Sequence, residues 1–367
     1  MCTSRRRPER GGGVFIRFSH IHYARHPVIA QDHGHLIMRT RENGFTLVEL
    51  LVVISIMGIL MAIILPAVAG AQRSARETQE RKQLTDVNLG WKAWAASHAN
   101  RYPIPGLVRR QMRDLDGDGN GDAYVNGSGR EDAQWNSHDA LLSLCIMENL
   151  ITPDQLMSPN EPSEAVYAYD SYRYNALGAA DSSDPGATFK WDHGFSNDLL
   201  GENVGYCHNS YGIMPLVGER RRDQWDRTGS ASFVVAGTRG PLAGEQGLLN
   251  AQDASGNAQV PSNTAFLMGK AGLWRGILVY ADGHSDLAEG FYPDGATWKS
   301  VDTSGQTMQL PDNVFKADDE NNGEWNSGET EMLGADILLT HTQGGDGLWT
   351  SESEINPYDV TYIQLHD

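Results

Sequence analysis

Positive charge is in short supply in this chain. Its 367 residues hold 29 Lys and Arg against 47 Asp and Glu, a net charge of −18. Eight of those basic residues and three of the acids precede Phe45, which leaves the remainder near −23. So acidic a body excludes the basic footprint that nucleic-acid binding needs, and no such partner is predicted. It suits a solvated protein outside the cytoplasm, where divalent cations are within reach. Neither Gly-x-Ser-x-Gly nor His-Glu-x-x-His occurs, so the usual hydrolase signatures are missing and no enzyme is predicted. No internal repeat marks a solenoid or propeller. Cysteine is scarce too, with three in all.

One further absence organises everything else. From Leu50 to Ala69 there is no charged residue, a run of about twenty positions, the length of a bilayer-spanning helix. Ahead of it stands Gly44-Phe45-Thr46-Leu47-Val48-Glu49, so a single acid, Glu49, sits at the head of the apolar run. An ionisable group there is expensive and functional by default. A secretory signal peptide would be shorter and cut after its apolar core.

Gly-Phe-Thr-Leu-Val-Glu followed by an apolar helix resembles the class III signal of type IV prepilins and type II secretion pseudopilins. The resemblance implies cleavage between Gly44 and Phe45 by a prepilin peptidase, and methylation of the new Phe45 amine. Glu49 then becomes the fifth mature residue. Pro66 takes a place where helices of that family commonly carry proline. Glu49 and Pro66 are thus the expected assembly residues. The resemblance covers the leader and the first fifty-odd residues after it.

Three regions follow. Residues 1–44 form the leader. Within it, 1–37 show no apolar period, and the five histidines from His20 to His35 fit no standard metal spacing. Met38-Arg39-Thr40-Arg41-Glu42-Asn43-Gly44 reads as a short basic prepilin leader with Met38 as its start. Its arginines would hold that end in the cytoplasm. Residues 45–99 form one long helix, transmembrane over about 47–69 and roughly 80 Å in length at the usual rise. Gln72 to Gln83 reads as polar all round. Beyond it Leu84, Val87, Trp91, Trp94, Ala95 and His98 make a stripe that docks a globular head. Asn100-Arg101-Tyr102-Pro103 stops the helix.

Residues 100–367 are the acidic extracytoplasmic head. Ser137 is placed to cap a helix over about His138 to Leu150. Strand-like runs occur at Ala231–Ala236, Thr264–Met268, Gly276–Ala281, Ala335–Thr340 and Val360–Leu365. Asp282-Gly283 between Val279-Tyr280 and Ser285–Leu287 signals a hairpin. The predicted fold class is α+β and pilin-like, the long helix packed on an antiparallel sheet. The turns at Leu156–Pro159, Asn209–Gly212 and Tyr280–His284 resemble the large heads of pseudopilin-like bacterial proteins.

Two segments have the spacing of a calcium loop. Asp114, Asp116, Asp118 and Asp122 occupy positions 1, 3, 5 and 9 of the first, with glycine at 6. Its closing position is Val125, so Glu131 or Asp132 is the candidate for the missing oxygen. In the second, Asp318, Glu320, Asn322, Asn326 and Glu329 fill positions 1, 3, 5, 9 and 12. Calcium is the expected cofactor; solvated acidic turns are the plainer alternative. Asp282, His284 and Asp286 alternate, which on a strand puts them on one face, either as a site or as polar residues in water. With Cys2 in the leader, Cys145 and Cys207 remain as a candidate disulfide or as two buried thiols.

The sequence therefore predicts a structural subunit of the inner membrane, single-pass, with its N-terminus cytoplasmic before processing. Its expected partners are the prepilin peptidase and other pilin or pseudopilin subunits. The alternative is a membrane-anchored, calcium-dependent binding or adhesion protein.

Overall fold

The computed structural model describes residues 45–118, 121–181, 186–198, 206–216, 221, 224–241, 268, 274–301, 307–315 and 339. The leader with Gly44, the second calcium-loop segment including Asp318, Glu320, Asn322, Asn326 and Glu329, and the runs at 264–267 and 360–365 lie outside them. The chain divides into two compact units, Met1–Ala62 and Ile63–Asp367. Helix α1 is assigned continuously over Leu47–Ser97, with Pro66 inside it.

In the first unit the described residues are helical from Leu47 on and, apart from Glu49 and Ser55, apolar on every side. Phe45, Leu50, Ile54 and Ile59 all stand exposed, as do their neighbours. A helix apolar all round has no water-facing side, so lipid or other apolar helices must cover it. Helix α1 as a whole is long and apolar enough to cross a membrane.

The second unit is built on the other half of α1. Leu84, Val87, Trp91 and Ala95 recur at steps of three and four, and all are buried in the main core. Trp91 is its hub: its ring lies 4.8 Å from that of Trp225 and 6.0 Å from that of Tyr102, centroid to centroid. Truncating such a residue to alanine costs about 3–5 kcal/mol. Trp94 sits partly buried against a smaller cluster that includes Trp191, and His98 is exposed, stacked on Trp94.

Opposite the helix lies a four-stranded antiparallel sheet in the order β1-β2-β3-β4. Its strands are β1 Tyr211–Ile213, β2 Val234–Thr238, β3 Arg275–Tyr280 and β4 Ser285–Glu289. Strands β5 Thr297–Val301 and β6 Thr307–Pro311 pair as a separate ribbon. Between α1 and β1, helix α2 spans Pro105–Val108 and helix α3 His138–Met147. The architecture is α+β and pilin-like, as the sequence implied.

The β3–β4 hairpin turns on Asp282-Gly283 as expected, with Gly283 at φ +93°. That conformation suits glycine, and a Cβ there would also strike the Lys92 ammonium. Ser137 does precede α3, but its hydroxyl makes no capping bond. The disulfide is not formed. Cys145 and Cys207 are both free and buried, Cys145 on α3 and Cys207 in the loop before β1. Burial pushes the Cys207 thiol up to about 12, against the backbone bond from Asn209, so it stays protonated.

Within the stretch Gln72 to Gln83, polar all round in sequence, one acid is buried. Glu80 is fully enclosed. Its carboxylate accepts from Thr238 Oγ1 at 2.5 Å, Ser158 Oγ at 2.9 Å and Asn160 Nδ2 at 3.1 Å. Thr238 Oγ1 in turn accepts the N–H of Ile277 at 2.9 Å. The carboxylate thus ties α1 to β2 and to the turn at Ser158. Burial raises its pKa, opposed by those hydrogen bonds.

Candidate functional site

The residues that processing would touch lie at the start of α1. Phe45 is 76 % exposed, clear of any packing. Thr46 and Glu49 then close on each other. The Thr46 backbone N–H and hydroxyl donate to Glu49 Oε2 at 2.8 and 2.7 Å, and the Glu49 N–H donates to Thr46 Oγ1 at 3.2 Å. This is a capping box, with threonine and glutamate three apart satisfying helix-end donors reciprocally. A carboxylate also complements the positive N-terminal end of the helix dipole. The sequence reading singled out Glu49 but missed Thr46; the threonine–x–x–glutamate spacing was the signal that could have found it.

The first acidic loop is partly assembled. Asp114, Asp116 and Asp122 each bring a carboxylate oxygen to within 4.8 Å of the others, all exposed. Backbone donors hold them: Leu115 N–H to Asp122 Oδ2 at 2.7 Å and Gly117 N–H to Asp114 Oδ1 at 2.6 Å. Gly117 takes φ +82°. Asp118 is outside this convergence, and its N–H donates to Asp116 Oδ1 at 3.1 Å. Three close carboxylates make a hard-oxygen donor set of the type calcium takes. The further oxygens considered from sequence are engaged elsewhere. Glu131 is held by Arg221 at 2.5 and 2.7 Å, and Asp132 accepts from Gln134 at 2.9 Å.

Asp282, His284 and Asp286 do not share one face as a triad. Asp282 and His284 belong to the hairpin turn, their side chains 2.6 Å apart. Lys92 Nζ donates to the Asp282 carbonyl at 2.5 Å, and His284 stacks on Tyr280. Slight burial works against the Asp282 carboxylate, but bonds from the His284 backbone and ring hold its pKa below the ordinary range. Asp286, on β4, accepts the N–H of Leu287 at 2.7 Å. The pair fastens the turn and leaves Asp286 apart.

The comparison with protein families gives one match, the prokaryotic N-terminal methylation motif, over residues 39–65. Those residues span the basic leader, the Gly44/Phe45 junction, the Thr46–Glu49 box and the apolar run almost to Pro66. No curated protein and no solved structure matches the chain.

Proposed function

We propose that the chain is a pilin-like structural subunit, cut by a prepilin peptidase between Gly44 and Phe45 and methylated on the Phe45 amine. It then assembles through α1 with other pilin or pseudopilin subunits into an envelope filament, for secretion or as a pilus. The observation that carries this reading is the methylation motif at 39–65 covering the start of α1, where the large apolar side chains from Phe45 to Val68 are exposed. Before processing, the arginine-bearing leader stays cytoplasmic and the head faces outward. Removing the leader frees a positive amine at Phe45. Glu49, four residues on and about one helical turn away, is the neutralising group. A neighbour displaced along the filament presents its own Glu49 to that amine, which makes neutralisation depend on assembly and fixes register. The experiment is co-expression with a prepilin peptidase followed by recovery of sheared filaments. A processed chain in the filament fraction supports the reading, and an unprocessed chain left in the membrane opposes it.

A second reading is favoured by the convergence of Asp114, Asp116 and Asp122. In it the head binds calcium at that loop and α1 serves as a membrane anchor for a binding or adhesion protein. Retention of the chain as a monomer in the membrane, with calcium-dependent attachment to a surface, distinguishes it from the first.

A further inference from the structure

The head carries a cavity whose charge is opposite to that of the protein around it. It measures about 270 Å³ and lies between the chain at 108–110, the turn at 124–128 and the loop at 186–190. Among the described residues that line it, three are cations, Arg109, Arg110 and Lys190, and none is Asp or Glu, in a chain where acids outnumber bases 47 to 29.

The first cation is structural. Arg109 is buried, paired with Asp181 at 2.7 Å and stacked over Trp135 at 3.9 Å. The other two have no carboxylate partner among the described residues. Arg110 spends Nη1 on the Gly129 carbonyl at 3.0 Å, while its Nε is buried with no acceptor. Lys190 is half-buried and makes no hydrogen bond among the described residues. Cations that have lost part of their hydration without gaining an anion are unsatisfied, and a ligand carboxylate relieves both at once.

The walls are preformed. Gln111 N–H bonds the Arg130 carbonyl at 3.0 Å on one side. On the other, Phe189 N–H bonds the Ala179 carbonyl at 2.8 Å and Gly178 N–H the Phe189 carbonyl at 3.0 Å. Gly129, at φ +102°, lies against Gln111 with no room for a side chain. Asn126, Ser128 and Thr188 add an amide and two hydroxyls to the lining.

We infer that this cavity binds a sugar acid through Arg110 and Lys190. The carboxylate goes to the two cations, and the ring hydroxyls go to Asn126, Ser128 and Thr188. The volume, just below the roughly 300–1,000 Å³ of drug-sized sites, fits one ring and is too small for a nucleotide. A free amino acid matches less well, because no acid among the described lining residues receives its ammonium. The head would thereby recognise acidic polysaccharide one residue at a time, independently of how α1 assembles.

The test is calorimetric titration of the full chain in detergent with glucuronate, glucose and inorganic phosphate. Glucuronate saturates the protein and weakens at high salt, whereas glucose and phosphate do not saturate over the same range. Lys190→Gln weakens glucuronate about tenfold, the loss expected for one charge-assisted hydrogen bond. Arg110→Gln risks loosening the turn at Gly129. Lys190→Gln touches no structural bond, so an unchanged melting midpoint certifies its fold. Absence of glucuronate saturation, equal binding of glucose, phosphate binding as tight as glucuronate, or wild-type affinity in folded Lys190→Gln would each overturn the proposal.

Discussion

Glu49 Oε2 takes both donors of Thr46, the backbone N–H at 2.8 Å and the hydroxyl at 2.7 Å. The acid at the head of the apolar run therefore has local partners before any neighbour arrives. Pairing with another subunit's Phe45 amine must share or replace those bonds. In the proposed assembly Thr46 is accordingly a positioning residue that keeps the carboxylate at the helix end, where a neighbour would reach it.

Glu49→Val should leave membrane insertion and cleavage largely intact while blocking or misaligning incorporation into filaments. Thr46→Ser, which keeps the hydroxyl, should assemble like the wild type, and Thr46→Ala should lag behind it. Quantifying the sheared filament fraction at matched expression checks both. Equal assembly of Glu49→Val and wild type would remove the register role.

Glu80 predicts a different kind of sensitivity. Replacing it by Leu strands Thr238, Ser158 and Asn160 without their acceptor, at about 1–3 kcal/mol for each buried polar group left unpaired. Glu80→Gln keeps an acceptor oxygen and removes a charge that burial disfavours, so it should be much milder. Thermal melts of the full chain in detergent distinguish the two; equal losses would mean that packing at the position, and not the hydrogen-bond network, matters.

Acid should destabilise the head through its buried and half-buried histidines. His138, His193 and His208 are each lowered to about 4, in every case chiefly by burial. Their folded pKa values lie below the unfolded value of 6.5, so between 4 and 6.5 the unfolded chain binds more protons. Stability from this source is complete above 6.5 and falls as the pH drops toward 4. For the fully buried His138, whose Nε2 lies 3.0 Å from the Met214 carbonyl, the loss is about 3 kcal/mol. Glu80, with its raised pKa, works in the opposite direction. His138→Asn should flatten the dependence of the melting temperature on pH across that window; an unchanged slope would contradict it.

Calcium should raise the melting temperature of the full chain if the loop at Asp114 holds it, since a ligand of the folded state alone stabilises that state. Asp116→Ala with Asp122→Ala should abolish the increase, because both contribute to the cluster. Asp118→Ala should matter less, as its carboxylate lies outside the cluster. No calcium response would end the second reading of the function.

Legibility in the sequence followed the strength of the local pattern. The stripe from Leu84 to Ala95 was readable because a helix repeats its buried positions at fixed steps, and the β3–β4 hairpin because Asp-Gly names its own turn. Strand β1, three residues long, offers no period to detect. Strands β5 and β6 were missed because each is only five residues long and, although Thr, Trp and Val in them favour strands, Lys299 and Pro311 do not. Glu80 was hidden for another reason. Its partners Ser158, Asn160 and Thr238 lie 78 to 158 residues away, and no local window contains them. At the N-terminal end the methylation motif was legible, while the Thr46–Glu49 spacing was in the sequence but went unread until the geometry paired the two side chains.

The central claim is that the mature protein begins at Phe45. Intact-mass and N-terminal fragment analysis of the chain, extracted from membranes that contain a prepilin peptidase, tests it most directly. The account predicts an N-terminus at N-methylated Phe45, with Gly44→Ala slowing its appearance because the peptidase must accept a residue without bulk before the cut. A mature chain that retains Met1 or Met38, or one cut after the apolar run, would contradict it.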